Sequence, residues 1–357
     1  MNALVYLLVA VGLYLLWLPT IRRGLRKLSC ARSFGRSTVF EGEDGVMIEV
    51  IRNDGPYIIP WLRLESRISP HLQLGNQENL DVNGQMYYSS VFTLMPYQQI
   101  RRTHRVKFAH RGIYDLGSAT LTAGDPLGPF SAYREQNLSA KVTVYPRLLE
   151  EDQLPVLTSL FLGEPTPTQQ LIHDPFLIRG IRPYTPGDPV RDIHWPATAR
   201  TAQAQVRIHD YTTRTRLLVI INGQCEDIQF YKEVSPKLTP VIEHAISMAA
   251  TLCVNSLRSG QAAGFATNMP LEGLQECTTV LPLEGTSHIE DILTVFAQIR
   301  TTCMQKFPIF LKTLEAYSGM DMLVLSCYDS ESIQECLAQL RHCGNRVVFH
   351  LLEGGRP

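Results

Sequence analysis

The sequence contains no pair of cysteines in the spacing C-x-x-C, so it offers neither a zinc ribbon nor a thioredoxin-like redox motif. It also lacks a P-loop, a GxGxxG fingerprint, an HExxH helix and a nucleophile elbow. Charge of one sign is not in excess, because 33 basic and 34 acidic residues leave a formal net charge of -1. A strongly basic nucleic-acid-binding protein is therefore excluded as the default. With none of the motifs above present, we also expect no cofactor.

The cysteines that are present lie mostly in apolar runs, and seven of the eight fall between residues 225 and 343. We interpret them as buried free thiols in a reducing compartment, since these runs have the patterns of helices and strands. The chain has 357 residues, of which 45% are hydrophobic and 19% charged. This composition is typical of globular protein, and the length allows two or three domains.

An apolar run opens the chain. Leu4 to Leu18 carries no charge, and extending it to Ile21 gives about 18 residues, near the lower limit for crossing a bilayer. A basic cluster follows directly, consisting of Arg22, Arg23, Arg26 and Lys27. We interpret residues 1–33 as a single transmembrane anchor with a basic flank, which would keep the remaining chain on the cytoplasmic side of the inner membrane. A cleaved signal peptide is the alternative, but no small-x-small cleavage site follows the run.

Residues 34–148 change to short alternating runs separated by turn residues. Val46–Ile51, Trp61–Glu65 and Arg105–Phe108 have strand length, and Asn53–Pro56 has the composition of a turn. Runs of this length at this spacing predict an antiparallel β-sandwich.

The last part of the sequence, residues 217–357, alternates continuous apolar runs with amphipathic stretches. Leu217–Ile221 and Met322–Leu325 are apolar throughout, as expected of strands buried on both faces. Further strands are predicted over 261–265, 279–283 and 347–352, and helices from Ser235, over 289–299 and from Ser330. This alternation predicts a parallel α/β sheet.

Residues 149–216 are interpreted as a linker that carries an unusual polar segment over 176–200. Pro183 and Pro186 fix φ, and Gly187 permits a left-handed turn. Asp188–Pro189 has the pattern of a helix N-cap followed by proline at the first helical position.

This segment carries the motif F-x-x-R-x-x-R-x-Y-x-x-G-D-x-x-R-x-I-x-W-x-A-x-A-R. Its residues are Phe176, Arg179, Arg182, Tyr184, Gly187, Asp188, Arg191, Ile193, Trp195, Ala197, Ala199 and Arg200. The motif resembles the signature of a bacterial family known as domain of unknown function fifty-eight, and His110–Phe130 and Lys141–Pro146 also resemble that family. The resemblance implies a von Willebrand factor A-like α/β domain, a membrane anchor and partnership with a MoxR-type AAA ATPase in assembling or activating other proteins. It implies no reaction.

In von Willebrand factor A-like domains the carboxyl end of the first strand often holds a divalent metal through Asp-x-Ser-x-Ser. The corresponding stretch here is Asn222 to Glu226, in which an amide replaces the carboxylate and neither hydroxyl is present. Asp329 is the remaining acid at a plausible ligand position. Because hard divalent cations need carboxylate oxygens, we predict that the metal site is lost.

Three hypotheses remain for the signature. In the structural one, Asp188 caps a helix, Asp192 pairs with an arginine, and Trp195 and Ile193 pack under the sheet. In the second, the four arginines Arg179, Arg182, Arg191 and Arg200 hold an anion or an acidic partner. In the third, His194 acts with Asp188 or Asp192 as the acid–base pair of a hydrolase.

The sequence therefore predicts a membrane-tethered, non-catalytic binding or assembly protein. The hydrolase is the alternative from another class, and a metal-dependent adhesion-type domain is a further one that needs the opposite membrane topology.

Overall fold

The computed structural model describes residues 12, 19–69, 71–74, 80–83, 87–124, 131–150, 154, 171–186, 188–213, 216–227 and 232–352. The chain divides into two compact units. The first comprises Met1–Arg147 and Leu293–Gln298, and the second comprises Leu148–Ile292 and Ile299–Pro357.

The first unit is built from strands. A helix over residues 19–26 comes before them. The strands are β1 (Leu28–Phe34), β2 (Thr38–Phe40), β3 (Asp44–Asn53), β4 (Ile59–Arg67), β5 (Leu72–Leu74), β6 (Leu80–Asn83), β7 (Tyr87–Leu94), β8 (Gln99–Phe108), β9 (Gly112–Asp115), β10 (Ser118–Gly124), β11 (Ser131–Asn137) and β12 (Lys141–Tyr145). The predicted strands over 46–51, 61–65 and 105–108 are confirmed within β3, β4 and β8.

Two antiparallel sheets form the β-sandwich, with the strand orders β1-β3-β8-β5 and β11-β10-β4-β7-β6. Alternate residues of both sheets point into a shared core, which includes Ile51, Leu62, Leu64 and Leu121. A third sheet, β2-β12-β9, lies over a second core with Met47, Val106 and Val144.

The predicted transmembrane run falls almost wholly outside the described residues, since 1–11 and 13–18 are not among them. In the described part of the chain, no helix is long and apolar enough to cross a membrane. Ile21, the last residue of that run, and Leu25 are buried in the core of the sandwich.

The second unit combines strands and helices. Its strands are β13 (Leu171–Pro183), β14 (Gln205–Thr213), β15 (Arg216–Ile221), β16 (Lys232–Glu233), β17 (Ala262–Thr267), β18 (Thr278–Leu283), β19 (Thr302–Cys303), β20 (Asp321–Ser326) and β21 (Arg346–Leu351). Its helices are α1 (Trp195–Thr201), α2 (Thr239–Arg258), α3 (Ser287–Gln298), α4 (Phe307–Thr313) and α5 (Glu331–His342). Residues 293–298 of α3 are grouped with the first unit.

The central sheet has the order β18-β17-β15-β20-β21. Strands β15 and β20 are parallel and buried, as their apolar sequences predict. Leu218 and Val324 pack with Phe310 of α4 and Leu337 of α5, whereas α2 packs against β15 and β17.

The prediction of a wholly parallel sheet is wrong at one edge. Strand β18 runs antiparallel to β17, so the sheet is mixed. Residues 268–277 connect the two strands without a crossover helix, and a direct return of this kind gives antiparallel pairing.

One helix boundary and one helix cap also differ from the prediction. Helix α2 begins at Thr239 instead of Ser235, because Pro240 occupies the favoured proline position in its first turn. Residues 235–238 form a turn closed by the Leu238 N–H donating to the Ser235 carbonyl, at 2.8 Å. Ser330 is the N-cap residue of α5, as predicted, but its side chain makes no capping hydrogen bond to the helix.

Candidate functional site

The signature segment lies on a hairpin that the sequence did not predict. Strand β13 begins the hairpin and β14 pairs with it in the antiparallel direction. Helix α1 lies between the two strands in sequence. The turn is fastened to β14 at its two ends: the Tyr184 N–H donates to the Ala204 carbonyl and the His194 N–H to the Gln205 carbonyl, each at 2.8 Å. The signature is therefore part of a folded element rather than an extended linker.

Arg182 and Asp188 form a two-point ion pair in this turn. Arg182 Nη1 and Nη2 donate to the two oxygens of Asp188 at 2.8 and 2.7 Å. The backbone N–H and the hydroxyl of Thr185 add two hydrogen bonds of 2.9 Å to Asp188 Oδ2. The hydrogen bonds from Arg182 lower the pKa of Asp188, and the same contact raises the pKa of Arg182.

This geometry corrects the predicted role of Asp188. The short 3-10 helix Val190–Asp192 has Pro189 at its N-cap position and no side-chain cap. Asp188 therefore does not cap a helix: its carboxylate is turned back to Arg182 and Thr185. Its contacts close the turn between β13 and α1.

His194 has a capping role that the sequence analysis did not assign. It is the N-cap residue of α1, and its Nδ1 accepts a hydrogen bond of 3.1 Å from the Ala197 N–H. Since Asp188 is bound by Arg182, both members of that predicted acid–base pair have local structural partners. This arrangement gives no support to the hydrolase hypothesis.

Trp195 does not pack under the sheet, contrary to the structural hypothesis. It is 66% exposed, and α1 buries none of its residues. Val190 is 68% exposed, and Ile181 and Tyr184 also rank among the exposed large hydrophobic residues. The signature therefore presents four large apolar side chains to solvent within fifteen positions of sequence.

The other signature residues are only partly described. Arg200 is exposed in the last turn of α1. Arg179 lies in β13 and Arg191 in the 3-10 helix, but their side chains, like Gly187 as a whole, are outside what the structure describes. A shared anion site made by four arginines stays a prediction, and one of the four, Arg182, already has its guanidinium bound to the Asp188 carboxylate.

The carboxyl edge of the central sheet is held by neutral side chains. Asn222 follows β15, is fully buried, and donates from Nδ2 to Ser326 Oγ at 2.9 Å, while its Oδ1 accepts from the Gln224 N–H at 2.8 Å. Asn268, which follows β17, accepts from the Gly223 N–H at 2.7 Å. The two amide oxygens therefore accept from the loop backbone, and the Asn222 amide nitrogen is bound to Ser326.

Gln224 and Asp329 also lie at the carboxyl edge of the central sheet. Gln224 Oε1 accepts from the Phe307 N–H at 2.8 Å and so fastens the edge to the start of α4. Asp329 is exposed, and both of its oxygens accept from Gln334 Nε2, at 2.9 and 3.0 Å. Among the described residues, no group of three or more His, Cys, Asp or Glu side chains is placed to hold a metal ion.

A buried ionic network in the sandwich was missed by sequence reasoning. Arg32 Nε donates to Glu49 Oε1 at 2.8 Å, and Arg32 Nη1 donates to Ser66 Oγ at 2.8 Å on the opposite sheet. The Tyr88 hydroxyl also donates to Glu49 Oε1, at 2.5 Å, and His104 Nε2 lies 3.7 Å from Glu49 Oε2. The network therefore connects the two sheets through charged groups that are almost completely buried.

The environment of Glu49 keeps it ionised. Burial raises the pKa of this carboxyl, but the side chains of His104, Arg32 and Tyr88 outweigh burial and lower the pKa to about 2. The sequence did contain a signal: Arg32 is in phase with Leu28 and Cys30, which point inward along β1.

Comparison with solved structures yields matches that cover about a third of the chain. The CARDB domain of a Pyrococcus furiosus protein matches at 16% identity and a TM-score of 0.21, over 33% of this chain and 93% of that one. A non-cellulosomal cohesin from Archaeoglobus fulgidus matches at 9% identity and a TM-score of 0.22, over 36% of this chain and 96% of the cohesin. Scores of this size are too low to support an inference about fold or function.

No curated protein matches the chain. Residues 180–308, from the end of β13 through the start of α4, match the family described as "Protein of unknown function DUF58". This match covers the signature from Gly180 onward and three of the five strands of the central sheet, and it supports the resemblance of this segment to the DUF58 family.

Proposed function

We propose that this chain is a membrane-tethered, non-catalytic binding or assembly protein that contacts its partner through the signature segment. The observation that carries the proposal is the exposure of Ile181, Tyr184, Val190 and Trp195, which flank the residues of the Arg182–Asp188 ion pair in sequence. Single exposed apolar residues are ordinary, but four large ones on one short folded element are typical of a protein-contact surface. Tryptophan and tyrosine are also enriched at the centres of such surfaces.

The ion pair gives this surface a defined shape. Arg182, Thr185 and Asp188 hold the turn through several hydrogen bonds, so little backbone freedom is lost when a partner binds. A preorganised turn that displays Trp195 and Val190 can therefore bind without first having to fold.

The resemblance to DUF58 proteins directs the choice of partner. We propose a MoxR-type AAA ATPase, with the α/β part as a von Willebrand factor A-like domain and residues 1–33 as the tether to the inner membrane. The neutral, internally satisfied edge around Asn222 fits a binding module better than a metal-dependent adhesion domain.

The test is a binding titration between the detergent-solubilised full chain and the MoxR-type ATPase of the same organism, with ATP and with ADP. Trp195→Ala should weaken binding about tenfold or more, because a central aromatic contact is worth at least ~1.4 kcal/mol. Tyr133→Ala is the matched control: Tyr133 is also a strongly exposed aromatic residue, but it lies on the sandwich. This control should bind like the wild type.

Absence of binding to the ATPase in either nucleotide state would contradict the choice of partner. Equal affinities of wild type and Trp195→Ala would contradict the choice of surface. His194→Gln separates this proposal from the hydrolase alternative, because a binding protein should keep its affinity when His194 is replaced, whereas an acid–base enzyme would lose its reaction.

A further inference from the structure

Two cysteines meet at the carboxyl edge of the central sheet. Cys225 lies in the loop after β15, and Cys327 directly follows β20. Because these strands are parallel neighbours, with Ile221 opposite Leu325, their loops leave the sheet side by side. The two Sγ atoms are 2.9 Å apart, although the residues are 102 positions apart in sequence.

The Sγ–Sγ distance distinguishes between three arrangements of two cysteines, which are a packing contact, a shared metal ion and a disulfide. Ordinary contacts between non-bonded heavy atoms are about 3.5–4.0 Å, so these sulfurs are closer than simple packing requires. Two thiolates on one tetrahedral zinc ion, with Zn–S near 2.3 Å, would stand roughly 3.8 Å apart. A disulfide needs about 2.0 Å, which is reached from 2.9 Å by a small movement of either loop.

We propose that Cys225 and Cys327 are a modification site, at which a hydroperoxide oxidises the two thiols to a reversible disulfide. The Cys327 thiolate attacks one peroxide oxygen, which forms a sulfenic acid on Cys327 and releases the other oxygen as water after protonation. Cys225 Sγ then attacks Cys327 Sγ, the S–O bond breaks, and the second oxygen leaves as water with the Cys225 proton. Two thiols and one hydrogen peroxide thus give one disulfide and two waters.

The surroundings decide which sulfur reacts first and which oxidant can reach it. The hydrogen bond between the thiols lowers the pKa of Cys327 and raises that of Cys225, so Cys327 supplies the first thiolate. Both side chains are buried, which excludes a bulky oxidant such as a peptide disulfide. Cys225 is 9% exposed and Cys327 1% exposed, so the pair is open at most to a molecule as small as hydrogen peroxide.

Cys253 has a different environment. It is completely buried, and its Sγ lies 3.5 Å from the Gly264 carbonyl oxygen instead of another sulfur. Cys253 is therefore the matched control for a buried thiol whose hydrogen-bond partner is a carbonyl oxygen.

The disulfide would join the β15 and β20 loops covalently and so stabilise the second unit. Cross-linking two positions so far apart in sequence removes many conformations of the unfolded chain. We expect the melting temperature of this unit to rise by roughly 5–10 °C on oxidation and to return on reduction.

The experiment treats the reduced full chain with a small excess of hydrogen peroxide, followed by intact mass and non-reducing peptide mapping. The expected product has lost two hydrogen atoms, contains a linked Cys225–Cys327 peptide, and reverts with dithiothreitol. Cys225→Ser and Cys327→Ser should abolish the link and the rise in melting temperature, whereas Cys253→Ser should keep both.

The wild-type peptide map decides the question even where a serine variant does not fold. Sulfinic or sulfonic acid on Cys327 without a link, a link between other cysteines, or unreacted thiols at both positions would each overturn the proposal. The assay requires no partner protein, so its outcome is independent of the proposed binding function.

Discussion

Removing the guanidinium of Arg32 should destabilise the sandwich by about 3–5 kcal/mol. Arg32→Met keeps most of the side-chain volume but leaves Glu49 as a charge in a fully buried position without its ion-pair partner. Breaking one side of a buried ion pair typically has a cost of this size, because the remaining charge stays desolvated.

The lowered pKa of Glu49 leads to a similar estimate of how much Arg32→Met destabilises the sandwich. Its fall from an ordinary value of 4.5 to about 2 corresponds to about 3 kcal/mol of preference for the ionised form in the folded state. His104 and Tyr88 supply part of that preference, and both remain in Arg32→Met. The lowered pKa therefore supports the lower end of the expected range.

The assay needs a reporter inside the sandwich, because a chain with two units need not unfold in one step. The sequence has three tryptophans, and Trp61 lies on β4 of the sandwich. A background with Trp17→Phe and Trp195→Phe therefore lets Trp61 fluorescence follow urea unfolding of this unit alone.

Arg63→Met is the matched control for Arg32→Met. Arg63 Nη2 is 2.8 Å from Glu65 Oε1, but both side chains are about 40% exposed. Such a pair contributes less than about 1 kcal/mol, since water screens it. The reasoning is refuted if Arg32→Met lowers the free energy of unfolding no more than this control does.

Three further predictions concern the acid sensitivity of the sandwich, the signature turn and the central sheet. Because the folded pKa of Glu49 lies below its unfolded value, its contribution is complete above about pH 5 and is lost as the pH falls toward 2, so Glu49→Gln should flatten the decline of the urea midpoint between pH 5 and 2.5. Asp188→Asn weakens the contact with Arg182 and should increase proteolytic cleavage of residues 183–190 several-fold, whereas an unchanged cleavage rate would show that the ion pair does not hold the turn. Gly264→Ala would place a Cβ atom 2.5 Å from the Pro282 backbone nitrogen. We therefore expect calorimetry to show that the free energy of unfolding of the second unit falls by about 2 kcal/mol or more. An unfolding transition like that of the wild type would mean that β18 moves aside without a measurable cost.

Buried strands were the most predictable part of the fold. Leu217–Ile221 and Met322–Leu325 are continuous apolar runs, and both form strands covered on both faces of the central sheet. The amino-acid composition of an edge strand, by contrast, does not predict whether the strand runs parallel or antiparallel to its neighbour. The antiparallel course of β18 depends on the connection from β17, which a hydrophobic pattern does not encode.

The signature shows where residue chemistry alone misleads. The size of Trp195 suggested burial, but the seven-residue helix that carries it has no buried face. The carboxylate and proline of Asp188–Pro189 suggested a cap, but Arg182 competes for that carboxylate with two hydrogen bonds. Both residues lie in the segment that connects β13 and β14, a hairpin in which Arg182 is opposite Val206 and which the sequence pattern did not predict.

The neutral edge of the central sheet and the exposed signature can be understood together. An aspartate at position 222 would place a charge in a fully buried loop, where neither Ser326 nor Gln224 could neutralise it. The amide of Asn222 avoids that cost and supplies the donor that Ser326 accepts, so this edge is stabilised as packed interior. Large apolar groups such as Trp195 are exposed on the signature instead, so under the proposed binding function we expect the signature to contribute the larger share of the binding energy.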